Sequence, residues 1–425
     1  MTPPLVTRTT GDIIPASDHN DTKSYIQDGT YRVKTAYLLA NPGSAPTPAA
    51  GVLYFDTTAG KFKGCNDGSS FVNLVGGGGI SGYQATYVVK TGGSVGTDCT
   101  HTTIASAVSD AGTSGVKKIY ILAGTYDEAL TLNSSNYNGL ILEGESMEKT
   151  IIRRNSGTST MLAIQESAQN ILVRNMTFNS TTGSGIANMI SLAPGASAGA
   201  KAMFNLHFEN LMIYHNGATD TSSPNAFWVY DGSYSGVTTI QGLYITGCQF
   251  YNTGAAKTFI WLGGDPYNAD CTLYDVHITD NYFSGIPIDV DPADSGNSVV
   301  TRGLIQLYSQ TWTYGGAPTV KNVVITNNTI YSNNSGTYGT AIHLFTWTKP
   351  SVSSASYITN INIRGNVIIS AAATNNYGIY SLAQGTNAFS DGFTITANVF
   401  RTTAAGQIVN SGATNLVDSG NNKLT

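Results

Sequence analysis

One phrase recurs from residue 171 to residue 400, and it restricts the chain more than any other feature. It appears as Ile171–Phe178 (ILVRNMTF), His207–Ile213 (HFENLMI), Tyr244–Phe250 (YITGCQF), His277–Phe283 (HITDNYF), Val324–Ile330 (VITNNTI), Asn362–Ile368 (NIRGNVI) and Thr394–Phe400 (TITANVF). Aligned on the first apolar anchor, the copies place Val173, Phe208, Ile245, Ile278, Ile325, Ile363 and Ile395 in one column, at spacings of 35, 37, 33, 47, 38 and 32 residues. A constant phrase with irregular spacing is what stacked coils with loops of variable length produce. Three residues after the anchor stand Met176, Leu211, Cys248, Asn281, Asn328, Asn366 and Asn398. The last four predict an asparagine ladder, each amide bonding to its neighbour one rung away.

A second, shorter strand follows most copies, at 190–192, 227–230, 259–262, 304–308, 341–345 and 378–382. These runs are brief, rich in β-branched and aromatic residues, and bounded by Gly, Asn and Ser. Helical periodicity is confined to Thr102–Ala111, where Ile104, Ala107, Val108 and Ala111 fall on one face. The expected fold is therefore all-β: a parallel β-helix (a solenoid) over residues 83–425, with rungs about 4.8 Å apart. The 102–111 helix caps its open end. Residues 1–50, ending in the Pro-rich 41–48 stretch, read as an attachment segment and extended linker. Residues 51–82 read as a small hairpin-like module, from 51–56 to 71–74, and a Gly-rich joint.

Composition narrows the function. Only 11% of the 425 residues are charged, and the formal net charge is −5. Disorder does not fit a chain with 41% hydrophobic residues. Its 21 Lys and Arg form no cluster of the kind that neutralises phosphates, which argues against nucleic acid. No apolar run reaches the roughly 20 residues of a membrane span, and the first residues do not read as a signal peptide. Four cysteines are too few and too scattered for a disulfide framework, and Cys248 in the ladder column reads as a buried thiol, a bond to Cys271 in the next loop being the alternative.

Two resemblances enter here. The segments 102–107 (TTIASA), 119–128 (IYILAGTYDE) and 142–152 (LEGESMEKTII) resemble the opening coils of pectin-lyase-like β-helix proteins, closest in wording to pectin methylesterases. The resemblance implies a right-handed parallel β-helix. It does not extend to catalysis: the Gln- and Asp-containing motifs of pectin methylesterases are missing downstream of Asn175–Phe178, so no catalytic residue carries over. The second resemblance lies at the N-terminus, where 11–20 (GDIIPASDHN) and 51–63 (GVLYFDTTAGKFK), closing with 71–74 (FVNL), are similar to attachment regions of viral tail fibres and tailspikes. It implies a virion location, a homotrimer and a tail or baseplate partner.

Alternation in the second strand puts Trp228, Trp261, Gln306, His343 and Tyr380 outward, beside a parallel column of Tyr230, Tyr308 and Phe345. Such a stripe suits a glycan, a subunit interface or packing within the sheet. Glycoside hydrolysis generally needs two carboxylates at defined separations, and the candidate pair is Asp231 with Asp265 in the next coil. Glu209, Asp275 and Asp280 are further candidates. Asp289, Asp291 and Asp294 group three carboxylates within six residues and are the candidate Ca²⁺ ligands; no other cofactor is expected. The expected function is adsorption of a virion to host cell-surface glycans or glycoproteins. A polysaccharide hydrolase or lyase on the same scaffold and a structural filament subunit or adhesin are the alternatives.

Overall fold

The structure is a computed structural model. It describes residues 86–423 apart from 155–159, 166, 181–187, 194–200, 216–224, 232–237, 253–257, 265–270, 288–302, 312–316, 334–337, 349–350, 372–374, 386–387 and 403–405; of the first 85 residues it describes the strands at 37–39, 52–56, 61–65 and 72–73. Contacts divide the chain into two units, Met1–Ala85 and Thr86–Thr425. The expected border at 82/83 lies outside the described residues, as does the segment of 1–36.

In the first unit, Val52–Asp56 pairs antiparallel with Lys61–Cys65, which pairs antiparallel with Val72–Asn73. Tyr37–Leu39 lies parallel to Val52–Asp56 on the other side. The hairpin partner of 52–56 is thus 61–65, and the strand at 72–73, expected to close the hairpin, is the next strand of the same small sheet.

The second unit is a parallel β-helix. Its strands form two parallel sheets, a large one and a second one running from Leu130–Leu132 to Gly406–Ser411. Parallel crossovers are right-handed almost without exception, the hand that the resemblance implies. The anchor column has the register read from the sequence: Val173 pairs with Phe208, then Ile245, Ile278, Ile325, Ile363 and Ile395 in turn. All seven are fully buried or within 1% of it, and they form one continuous core with Phe227, Ile260, Ile305, Ile342 and Ile379 of the second sheet.

Each coil of the large sheet bends at two corners, and both have a backbone reason. Three residues before the anchor, Asn170, Asn205, Gly242, Asp275, Asn322, Asn360 and Gly392 all have φ between 50° and 71°. Two residues after it, Asn175, Asn210, Gly247, Asp280, Asn327, Gly365 and Ala397 lie between 50° and 66°. The left-handed region suits Gly, and Asn or Asp tolerate it because their short side chains bond locally. Asn-rich phrases are therefore the means by which a strand turns without a loop.

Just inside the second corner runs the expected ladder. The Nδ2 of Asn281 donates to Asn328 Oδ1 at 3.0 Å, Asn366 does so to Asn398 at 2.9 Å, and Asn421 adds a further rung, accepting from Asn398 at 3.1 Å. Each amide also donates to a main-chain carbonyl of the preceding coil, as Asn281 does to Ile245 O at 2.9 Å. Above the ladder, Cys248 is a buried free thiol whose backbone N–H donates to Asn281 Oδ1 at 2.8 Å. Burial pushes that thiol's pKa up to about 12.

The helix spans Ile104–Ser114 and buries Ile104, Ala107, Val108 and Ala111, the four residues that its periodicity selected. Thr103 caps its start, accepting from Ser106 N at 3.2 Å, and Gly115 ends it with φ 76°. Glu128, 24 residues on, accepts from the first free N–H groups, those of Ile104 at 3.0 Å and Ala105 at 2.7 Å. A carboxylate at a helix N-terminus satisfies orphan donors and opposes the helix dipole.

Candidate functional site

The outward stripe of the second sheet has the expected register and a different environment. Trp228, Trp261, Gln306, His343 and Tyr380 pair in succession across five coils, and Tyr308 pairs with Phe345. Trp228 and Trp261 stack at 5.9 Å with planes 10° apart. The stripe is not an open surface, however: His343 is 0% exposed, Gln306 1%, Tyr308 2%, Trp261 5%, Tyr380 6% and Phe345 9%. Trp261, Tyr308, Phe345 and Tyr380 form, with Leu382, a small apolar cluster of their own, separate from the coil interior, and half-buried Trp228, Trp347, Tyr377 and Val409 pack against it. Strand alternation tells which side of the strand a residue faces; it does not tell what lies over that side. The side chain of Tyr230 lies outside the described residues.

Asp231 is in register with Gly264. Asp265 lies outside the described residues. Asp289, Asp291 and Asp294 lie outside the described residues too, and among the described residues no group of His, Cys, Asp or Glu is placed to share a metal ion. Asp275 and Asp280 occupy the corner columns. There Asp275 accepts from Asn322 Nδ2 at 3.0 Å and from Gln241 Nε2 at 3.1 Å. Gln241 reaches in beside Gly242, which has no side chain to contribute to its rung. Asp275 is thereby a rung of an outer amide ladder that also links Asn205 to Asn170 at 2.9 Å and Asn360 to Asn322 at 3.2 Å.

Between the two corners each coil presents four residues, two buried and two outward. The outward pairs of successive coils are Leu172 and Arg174, His207 and Glu209, Tyr244 and Thr246, His277 and Thr279, in direct register. The rings of His207 and Tyr244 stack at 4.4 Å and 13°, and those of Tyr244 and His277 at 5.0 Å and 13°. Three half-buried rings on consecutive coils make a continuous flat platform. The short strands keep it level, because corners fix both ends of each four-residue segment.

The platform has polar neighbours. His207 Nε2 bonds Asn205 Oδ1 at 2.8 Å, and its Nδ1 lies 3.7 Å from Glu209. Thr246 and Thr279 share a hydroxyl bond of 3.1 Å. One coil beyond Leu172, Glu143 binds both Lys118 at 2.9 Å and Arg174 at 3.0 Å. Partial burial works to raise the pKa of Glu143, but hydrogen bonds and charge from these two cations outweigh it and hold the carboxylate below its usual range. Burial lowers the pKa of His207, and the nearby Glu209 only partly offsets it. The ring at the head of the stack is therefore neutral at pH 7. Nothing in the sequence reading selected these rings. The signal was present one column away, as His207, Tyr244 and His277 each stand one residue before the anchor.

A family model described as pectinesterase matches residues 88–214. Among solved structures, pectin methylesterase PemA from Erwinia chrysanthemi is similar at 13% identity, covering 81% of this chain and 93% of that one, with a TM-score of 0.34. Pectin methylesterase from carrot is similar at 11% identity, over 80% and 88%, with a TM-score of 0.30. The A-module of the mannuronan C-5 epimerase AlgE6 from Azotobacter vinelandii is similar at 17% identity, over 76% and 94%, with a TM-score of 0.27. No curated protein sequence matches the chain.

Proposed function

We propose that this chain is a glycan-recognising attachment protein, a fibre or spike component that holds a virion to surface polysaccharide of its host. The observation that carries the reading is the ring platform of His207, Tyr244 and His277. Sugar rings have apolar C–H faces ringed by hydroxyls, and a flat aromatic surface beside hydroxyl and charged groups meets both needs. Arg174, Glu209, Thr246 and Thr279 supply those groups within one or two coils of the rings. The platform runs along the stacking direction, so an extended chain of several sugars fits it better than a compact ligand. The N-terminal phrases similar to fibre attachment regions support the virion placement.

The pectinesterase match over the opening coils favours a second reading, a polysaccharide-cleaving or de-esterifying enzyme on the same scaffold. One experiment separates the two. Purified surface polysaccharides, neutral and uronate-containing, are displayed on an array to detect binding, and the bound ones are then incubated with the protein. Binding without change in chain length or ester content supports attachment. Shortened or de-esterified chains support the enzyme, and no binding to any polysaccharide overturns both.

A further inference from the structure

Charge around the ring platform is one-sided. On the three platform coils and one coil to either side, the outward positions between the corners and the corners themselves carry four charged residues: Arg174, Glu209, Asp275 and Asp280. The one cation is already engaged. An Nη of Arg174 holds one oxygen of Glu143 at 3.0 Å, while Lys118 holds the other at 2.9 Å. The three acids have no such partner: among the described residues none of them is ion-paired with Lys or Arg. Glu209 lies 3.7 Å from the ring of His207, which is neutral at pH 7. Asp275 and Asp280 bracket the ring of His277, two residues before it and three after, at corners with φ 56° and 58°. Asp275 accepts amide hydrogens from Asn322 and Gln241, and Asp280 is exposed. The next cation along these columns, Arg364, stands two coils beyond Thr279, about 9.6 Å along the stack.

Resting on the glycan reading above, we infer from this imbalance that the platform takes a neutral, hydroxyl-rich glycan and rejects one that carries carboxylate, phosphate or sulfate groups. Glu209, Asp275 and Asp280 are ionised at pH 7. A sugar hydroxyl donates to a carboxylate oxygen in a charge-assisted hydrogen bond, so stacked rings with acids at their margins bind both the C–H face and the hydroxyl edge of a neutral sugar. An acidic sugar brings like charge to the same margins. At contact the two charges lie well inside the screening length of about 8 Å at physiological ionic strength, and salt does not cancel their repulsion. Recognition of an acidic sugar needs a cation free to grip its anionic oxygens. Arg174 would have to leave Glu143 to do so, and would strip a half-buried carboxylate of one of its two cations.

The test prints each neutral polysaccharide of the array beside its own C6-oxidised form, in which primary alcohols have become carboxylates on the same backbone. The full-length wild type is expected to bind a neutral form at least about tenfold more tightly than its oxidised counterpart. It is expected to hold that affinity within about twofold between about 50 and about 500 mM NaCl. The double substitution Glu209→Gln and Asp280→Asn removes two of the acids, and asparagine keeps the left-handed corner; it is expected to narrow the preference at least about fivefold. The control is Arg401→Gln on the other outward face of the coil, beyond the second corner, where Tyr282 also stands. It is expected to keep the wild-type preference, and circular dichroism checks that both variants are folded. Equal or tighter binding of the oxidised forms overturns the proposal and leaves the glycan reading standing. So does a folded double variant with the wild-type preference. Binding to no form of either kind overturns the glycan reading, and the neutral preference with it.

Discussion

Asn328 donates to one oxygen of Asn366 twice, from its backbone N–H at 2.9 Å and from its side-chain Nδ2 at 3.0 Å. Its other Nδ2 hydrogen reaches Ile278 O, a coil further back, at 2.8 Å. Each ladder amide therefore satisfies main-chain groups at a corner where the strand ladder has been interrupted. The side chain substitutes for backbone pairing in a place that water cannot reach.

Replacing Asn328 with Leu keeps the volume and removes those partners. Asn281 then loses the acceptor for its N–H and Nδ2, and Ile278 O loses a donor. Buried unsatisfied groups cost about 1–3 kcal/mol each, so Asn328→Leu is expected to destabilise the β-helix by about 3 kcal/mol or more. The comparison is Asn322→Gly in the exposed outer ladder, where glycine keeps the φ of 55° without strain, water replaces the lost bonds and the expected cost is below about 1 kcal/mol. Urea unfolding of both variants reads the difference.

Ala397 holds the second-corner position with φ 53°, where neighbouring coils have Gly365 and Gly420 at 66° and 65°. An alanine there carries left-handed strain that glycine lacks. Ala397→Gly is expected to raise stability by about 0.5–1 kcal/mol, since relief of the strain exceeds the extra chain entropy of glycine. Thermal melting checks the sign, which is opposite to the usual effect of placing glycine in a strand.

Protonation of His207 is disfavoured in the fold, because burial lowers its pKa below the ordinary 6.5. A depressed histidine leaves the unfolded chain holding more protons between the two pKa values. Its contribution to stability is therefore intact above pH 6.5 and falls as pH drops through that value toward the folded pKa. The ring platform is expected to weaken over the same interval. NMR titration of the His207 ring protons, with His207→Gln as the control, follows the step directly.

Cys248 is fully buried, and its thiol is pushed up to about 12. The thiolate is the reactive form, so Cys248 is expected to resist alkylation by iodoacetamide at pH 8 in the folded protein and to react only after denaturation. Mass spectrometry of the labelled peptide gives the readout.

Much of the architecture was legible because the forces that set it are local and periodic. The anchor column from Val173 to Ile395, the ladder from Asn281 to Asn398 and the buried face of the helix all follow from the repeat or from a 3.6-residue period. Asn421 escaped notice because the last coil has Asp418 at the anchor position, paired with Ile395. The outer ladder of Asn170, Asn205, Asp275, Asn322 and Asn360 stands three residues before the anchor, where Gly242 and Gly392 interrupt the column and mask its repeat. Asp275 and Asp280 were read as acids, although their positive φ makes them corner residues. Trp261, Tyr308, His343 and Tyr380 show a different limit. Their side of the strand is a local property, but their burial depends on what packs over that side, and no periodicity records it.

The central claim is that the platform of His207, Tyr244 and His277 contacts sugar, and calorimetric titration tests it most directly. The titrant is the polysaccharide that wild type binds most tightly on the array, applied to wild type, Tyr244→Ala and Tyr282→Ala. The account predicts that Tyr244→Ala weakens binding at least tenfold, about 1.4 kcal/mol, while Tyr282→Ala, on the other face, binds as wild type does. Unchanged affinity in Tyr244→Ala, with the loss falling on Tyr282→Ala instead, would contradict it.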